Sequence, residues 1–293
     1  MTTTFRVTHR TTYRYDGDVG TSFGRAHLLP REGPRQTIRE ARVTVDPEPA
    51  ELRDHTDAFG NTSTYFCVTT AHRELVVLAE SLVEVAEVPP PTSPTPWEVV
   101  RDGLYTTPAP ELLDARGYVL PSPRLPPHAA VTAYAQPSFT PGRPLVEAAI
   151  DLSTRIHRDF RYRSGSSGVG STVPELLERG EGVCQDFAHL GVSALRSVGL
   201  PARYVSGYLR TTPPPGRERV LGADASHAWM SVFTGSGWLD LDPTNDRLVD
   251  DSFVELAHGR DYSDVPPLKG VIYSDSAESV MQVGVDMIPV EDG

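Results

Sequence analysis

Alternation of apolar and polar residues dominates the start of the chain. Phe5, Val7, His9, Thr11, Tyr13 and Tyr15 share one face of an extended backbone, and Ala41, Val43 and Val45 repeat the two-residue period. Leu75, Val77, Ala79, Val83 and Val85 continue it, while Asp57 to Asn61, with Phe59-Gly60 in the middle, marks a turn into a strand from Ser63 to Thr70. Residues 1–88 therefore predict an all-β, sandwich-like domain. Between 89 and 127 repeated prolines exclude long helices and central strands, so this stretch reads as a connector crossing the surface of both domains. Beyond it the period lengthens. Leu145, Ala148, Ala149, Leu152 and Ile156 line one face of a helix over 145–160, and Phe187, Ala188, Gly191, Leu195 and Val198 line one over Cys184–Val198, closed by Gly199 and Pro201. His227, Trp229, Ser231 and Phe233 alternate with Ala228, Met230 and Val232 as in a strand buried on both faces. Gly235-Ser236-Gly237 turns the chain into a second strand, Trp238–Pro243. Residues 128–293 thus read as a second domain, and the whole as α+β.

This pattern puts Cys184 in the first turn of a helix. Unpaired N–H groups there favour negative charge, so a thiol at that point is poised to ionise into a nucleophile. A buried cysteine that merely packs is the ordinary alternative. The hairpin sharpens the picture: it carries His227 on one arm and aspartates on the other, and cross-strand neighbours approach within about 5 Å between Cβ atoms. A carboxylate there can hold an imidazole that takes the thiol proton. Asp240 and Asp242 share a face, and the hairpin register leaves both open. His227 as a satisfied core histidine and Asp242-Pro243 as a simple turn are the structural alternatives. His189 lies five positions after Cys184 on the helix, about 140° around its axis, and is poorly placed to serve it.

The segments Gly182-Val183-Cys184-Gln185-Asp186-Phe187-Ala188-His189, Gly199 to Tyr208, Ser226-His227-Ala228-Trp229, Gly237-Trp238 through Asn245, and Gly259 to Pro267 resemble the bacterial transglutaminase-like proteins. Thr8-His9-Arg10 to Tyr15, Leu28-Leu29-Pro30-Arg31 and Asp57 to Asn61 are similar to the β-rich domain that precedes their core. The resemblance implies a papain-like core in which the nucleophile's helix packs on an antiparallel sheet. It also implies roles: Cys184 as nucleophile, His227 as general base and acid, and Asp242 rather than Asp240 as the orienting carboxylate. It does not choose a substrate, because this core serves cross-linkers, peptidases, amidases and inactive relatives.

Composition narrows the partners. A formal net charge of −12 without a basic patch argues against nucleic acid or an anionic membrane surface. No apolar run suits a signal peptide or a membrane span, and two cysteines, Cys67 and Cys184, make no disulfide framework, so a reducing cytoplasmic setting is expected. The nine histidines lack paired metal-ligand spacing, and Gly165–Thr172 lacks the lysine of a phosphate loop, so neither metal nor organic cofactor is expected; a loop bordering the active-site cleft is the better reading of 165–172. The expected chemistry is acyl transfer from a peptide, protein or amide substrate through a thioester, most simply hydrolysis. Transfer to an amine and a non-catalytic peptide-binding scaffold are the alternatives. The Cys184 N–H supplies one oxyanion donor, Gln185 and Tyr162 are candidates for a second, and Trp229 and Trp238 are candidates to line the cleft. The sequence sets no oligomeric state.

Overall fold

The computed structural model describes residues 2–106, 109–165, 168, 170–211, 225–275 and 278–290. The alternating segment becomes β1 (Thr2–Ala26), β2 (Gln36–Asp46), β3 (Glu51–Thr56), β4 (Thr62–Val68) and β5 (His72–Ala86), an antiparallel sheet in the order β2-β5-β1-β4-β3. β1 is the spine: its first half pairs with β5 and its last five residues with β4, so one strand belongs to two half-sheets. These close over Tyr15, Val19, Val43, Phe66, Leu75 and Val77, which gives the sandwich-like core. Toward the opposite end of β1 and β5, Phe5, Val7, Val83 and Val85 enter the larger core of the second domain.

The proline-rich stretch is more structured than a surface connector. It carries α1 (Trp97–Thr106) and α2 (Pro110–Gly117), and Trp97, Val100 and Leu104 are buried. The prolines bracket these helices instead of breaking them: Pro96 precedes α1, and Pro110 sits in the first turn of α2, where its missing N–H has no intrahelical partner to lose. There follow α3 (Ala129–Ala135), α4 (Leu145–Asp159), β6 (Arg161–Tyr162), α5 (Val173–Arg179), β7 (Glu181–Gly182) and α6 (Cys184–Ser197). The apolar pattern of α6 predicted one buried face, yet every residue from Asp186 to Arg196 is buried. Helices α3, α4 and α5 cover the side that the sheet leaves free.

That sheet consists of β8 (Ala202–Leu209), β9 (Ala225–Phe233), β10 (Trp238–Asp242), β11 (Arg247–Leu248) and β12 (Phe253–Gly259), in the order β11-β10-β9-β8-β12. Gly207 in β8 faces His227 in register, and a Cβ there would stand 2.2 Å from the Val254 carbonyl oxygen and 2.4 Å from the Trp229 ring. A carbonyl in a paired strand cannot retreat. Gly207→Ala is expected to cost about 3 kcal/mol, the upper end of overpacking penalties, measured by urea denaturation. A loss below about 0.5 kcal/mol, the scale of an ordinary surface substitution, would show that β8 and β12 separate easily here.

The chain ends in β13 (Leu268–Ser274) and β14 (Ser279–Pro289), expected in the second domain, but both pair with β1: β14 beside Phe5–Tyr15 and β13 beside Val19–Ala26. Pairing across more than 240 residues leaves no local trace in a sequence. The two domains are also joined by polar contacts. Asn61, at the end of the Asp57 turn, donates from Nδ2 to the His258 carbonyl and accepts the His258 N–H on Oδ1. Gln36 makes the same two-way contact with the Glu255 backbone, and buried Tyr208 and His9 are hydrogen-bonded at 2.9 Å. Among the described residues no helix is long and apolar enough to cross a membrane.

Candidate active site

Cys184 is the first residue of α6, so its N–H has no acceptor within the helix. The turn is held from below by Asp186, whose buried carboxylate accepts the Val183 N–H at 2.9 Å. Gly182 makes room for it, since a Cβ there would lie 2.8 Å from Asp186 Oδ2. Cys184 is partly exposed, whereas the other free cysteine, Cys67, is buried in β4.

His227 enters from β9 and Asp242 from the end of β10. Leu241 pairs with Met230, so the next pair in register is Asp242 with Trp229, and His227 reaches Asp242 along the diagonal. Nε2 of His227 lies 2.8 Å from Asp242 Oδ2. Asp242 is fully buried, and its Oδ1 accepts the N–H groups of Thr244 and Asn245 while Oδ2 also accepts the Asn245 side-chain amide at 2.6 Å. Burial opposes ionisation of Asp242, but these bonds, His227 first, hold its pKa below the ordinary carboxylate value. An ionised carboxylate only accepts, so Nε2 carries a proton and Nδ1 is the nitrogen left for the neighbouring Cys184. Burial works to lower the His227 pKa, yet Asp242 first and the neighbouring Cys184 next overcome it and raise it to about 10.

Those opposed shifts set a stability window. His227, raised above its unfolded value of 6.5, stabilises the fold fully below that pH, and the contribution fades as pH climbs toward 10. Asp242, depressed from 3.8, contributes above that value and loses its contribution on acidification. The stability difference between wild type and Asp242→Asn is thus expected to be largest between pH 4 and 6.5 and to shrink as pH approaches 10, followed by denaturant titration at each pH. A difference independent of pH would mean that no charged pair is broken by the substitution.

Comparison with known proteins now bears on this site. Residues 5–84 match the bacterial transglutaminase-like N-terminal region, and residues 132–243 match the transglutaminase-like superfamily model, which spans Cys184, His227 and Asp242. An uncharacterized protein of Mycobacterium tuberculosis is 49% identical over 299 residues, covering 98% of this chain and 93% of its own. The chain belongs to the transglutaminase-like superfamily. An uncharacterized protein of Mycobacterium leprae is 36% identical over 285 residues, covering 96% of this chain and 97% of its own. A protein-glutamine gamma-glutamyltransferase of Pseudomonas aeruginosa is 30% identical over 92 residues, only 30% of this chain and 14% of that one. In fold, a candidate cysteine protease from Cytophaga hutchinsonii superposes with a TM-score of 0.74 over 100% of this chain and 93% of its own, at 21% identity.

Around the three central residues of this transglutaminase-like core, the other sequence candidates are placed unevenly. Tyr162, in β6, pairs with Gly182 and packs against Phe187; burial and the neighbouring Cys184 charge raise its pKa, and more than half of its surface is exposed. Gln185 follows Cys184 in the helix. Trp229 is buried behind the imidazole, its ring 6.4 Å from that of His227, and packs on Phe253. Trp238 is elsewhere: it stacks under the Arg203 guanidinium at 3.7 Å and against Tyr118. Asp240, the competing carboxylate, faces Ser231 and has Glu255 and Arg203 as charged neighbours instead of His227. His189 accepts the Tyr262 N–H at 3.2 Å, and burial lowers its pKa to about 3, so it is a neutral structural group. Of the 165–172 loop, residues 166, 167 and 169 lie outside the described residues, and Thr172 caps α5 in a reciprocal pair with Glu175.

Sequence reasoning missed two supporting residues. Asn245 fixes the Asp242 carboxylate, and the Asp-Pro-x-Asn spacing was the available signal, since an aspartate accepting backbone N–H groups two and three residues on is a turn motif in its own right. Asp186 has no sequence signal of its own, and only its burial and its bond to the Val183 N–H show that it braces the turn bearing the thiol.

Proposed function

We propose that this protein is a thiol-dependent acyltransferase that hydrolyses an amide or peptide bond through a thioester on Cys184. The observation that carries the reading is the 2.8 Å contact of His227 with a fully buried Asp242, beside Cys184 at the first turn of α6. In the proposed cycle His227 Nδ1 takes the thiol proton and the thiolate attacks the carbonyl. The backbone N–H of Cys184 receives the developing oxyanion, and the proton passes from His227 to the departing amine. Water, deprotonated by His227, then releases the acid and restores the thiol. Asp242 keeps the proton on Nε2, and Asn245 keeps Asp242 in place. A cytoplasmic or otherwise reducing location belongs to the same proposal, because the nucleophile must remain a free thiol.

Amine transfer is the second reading, favoured by the likeness to the Pseudomonas aeruginosa gamma-glutamyltransferase over 92 residues. Two assays on one sample separate them: ammonia release from a glutamine-containing peptide, and incorporation of a labelled primary amine into it. Ammonia release without incorporation supports hydrolysis; incorporation at a rate matching ammonia release replaces it with transfer. Neither product from glutamine or peptide-bond substrates, with the thiol unreactive, leaves a peptide-binding scaffold.

A further inference from the structure

The two strands that end the chain follow one another along the same side of β1. Val19 pairs with His72 of β5 on one side and with Ser274 of β13 on the other, and β14 continues on that second side from Tyr15 to Phe5. Among the described residues no strand pairs with the far edge of β13 or β14. The sheet ends there in an open edge of eighteen strand residues, seven in β13 and eleven in β14. Such an edge is a template for pairing with another chain.

Natural sheets blunt open edges with charge, and this one does so at its other borders. β2 carries Arg39, Glu40, Arg42 and Asp46 in eleven residues, and β3 carries Glu51, Arg53 and Asp54 in six. β13 and β14 together carry only Lys269 and Asp286. In place of charge stand Val271, Ile272, Tyr273, Val280, Met281 and Val283, each at least 40% exposed. An apolar edge of this length invites aggregation unless a defined partner covers it.

The two charges select that partner. Lys269 is opposite Arg25 and Asp286 is opposite Thr8, positions of β1 turned away from its core, so both lie on the outer face of the sheet. A twofold axis normal to the sheet keeps the faces matched and runs two copies of the edge antiparallel. β13 of one copy then lies along β14 of the other. The register that sets Lys269 against Asp286 of the second copy also sets Ile272 against its Val283, and the symmetry makes each contact twice. Two facing stretches of seven residues supply about fourteen backbone hydrogen bonds, one per facing pair, within the 10 ± 5 or so of a typical interface.

We propose that this edge is a self-association surface on which a second copy of the chain docks antiparallel, β13 against β14, giving a twofold dimer with one sheet continuous through both β domains. The inference concerns assembly alone and is independent of the acyl-transfer reading.

Sedimentation velocity of the full chain over a concentration series tests it. A species of twice the 32.0 kDa chain mass is expected to accumulate as concentration rises to about 50 μM. Val283→Lys sets a charge against Ile272 of the other copy, and Lys269→Glu opposes like charges at both pairs. Each is expected to weaken association at least about tenfold. Lys269→Glu combined with Asp286→Lys restores opposite charges and is expected to recover the dimer. Circular dichroism melting verifies that each variant is folded, and the charge reversal carries the test alone if Val283→Lys is not. A monomer throughout the series, open-ended growth, a dimer indifferent to the folded single variants, or a double reversal no stronger than Lys269→Glu overturns the proposal.

Discussion

Cys184→Ala is expected to abolish amide turnover, with a loss of about ten-thousandfold to a millionfold, the range found when a member of a nucleophilic triad is removed. The reason is that a thioester needs a thiol, and the second cysteine of the chain, Cys67, is buried in β4 of the β domain. His227→Ala is expected to act through the same atom. In the wild type the imidazole neighbours Cys184 and is the group placed to take its proton; without it the thiol has only the helix N-terminus. The rate of Cys184 alkylation by iodoacetamide as a function of pH reads this without knowledge of the substrate. Wild type is expected to be alkylated faster at about pH 7 than His227→Ala, whose thiol has no neighbouring base. Coincident profiles would show that the imidazole does not activate the thiol, and the scaffold reading would then lead.

Removal of residues 1–127 is expected to leave an insoluble or unfolded fragment. Phe5, Val7, Val83 and Val85 belong to the core that also holds α6 and the β8–β12 sheet. At about 1.5–3 kcal/mol for each buried side chain of this kind, their loss alone is about 6–12 kcal/mol, comparable with the whole stability of a typical domain. Truncation also strands β13 and β14, whose strand partner in the intact chain is β1, and leaves Val271, Tyr273, Val280 and Met281 on unpaired strands. Soluble yield and far-ultraviolet circular dichroism measure the outcome. A folded fragment that keeps the alkylation profile of the intact protein would show that the β domain is dispensable for assembling the site.

Local patterning made much of this molecule legible in advance. The alternation from Phe5 to Tyr15 marked β1, the turn at Gly235–Gly237 marked the β9–β10 hairpin, and the glycine and proline after Val198 marked the end of α6, because each signal rests on neighbours a few residues apart. The place of Cys184 at the start of α6 was legible for the same reason, as a helix N-terminus is a local feature. Where the signal was not local, the sequence was silent. The hairpin register left Asp240 and Asp242 open and only the family resemblance favoured Asp242; in the structure Asp242 meets the imidazole, and Asp240 lies toward Arg203 and Glu255. It also assigned residues 268–289 to the wrong neighbours, since a strand carries no mark of the partner it will find far away in the chain. What the sequence by itself determined is the set of elements and the class of chemistry that one thiol, one imidazole and one carboxylate can perform. The tertiary structure decided which carboxylate lies against the imidazole and how the two domains share a core through β1. Those outcomes depend on long-range packing, whose energy belongs to surfaces that no short segment contains.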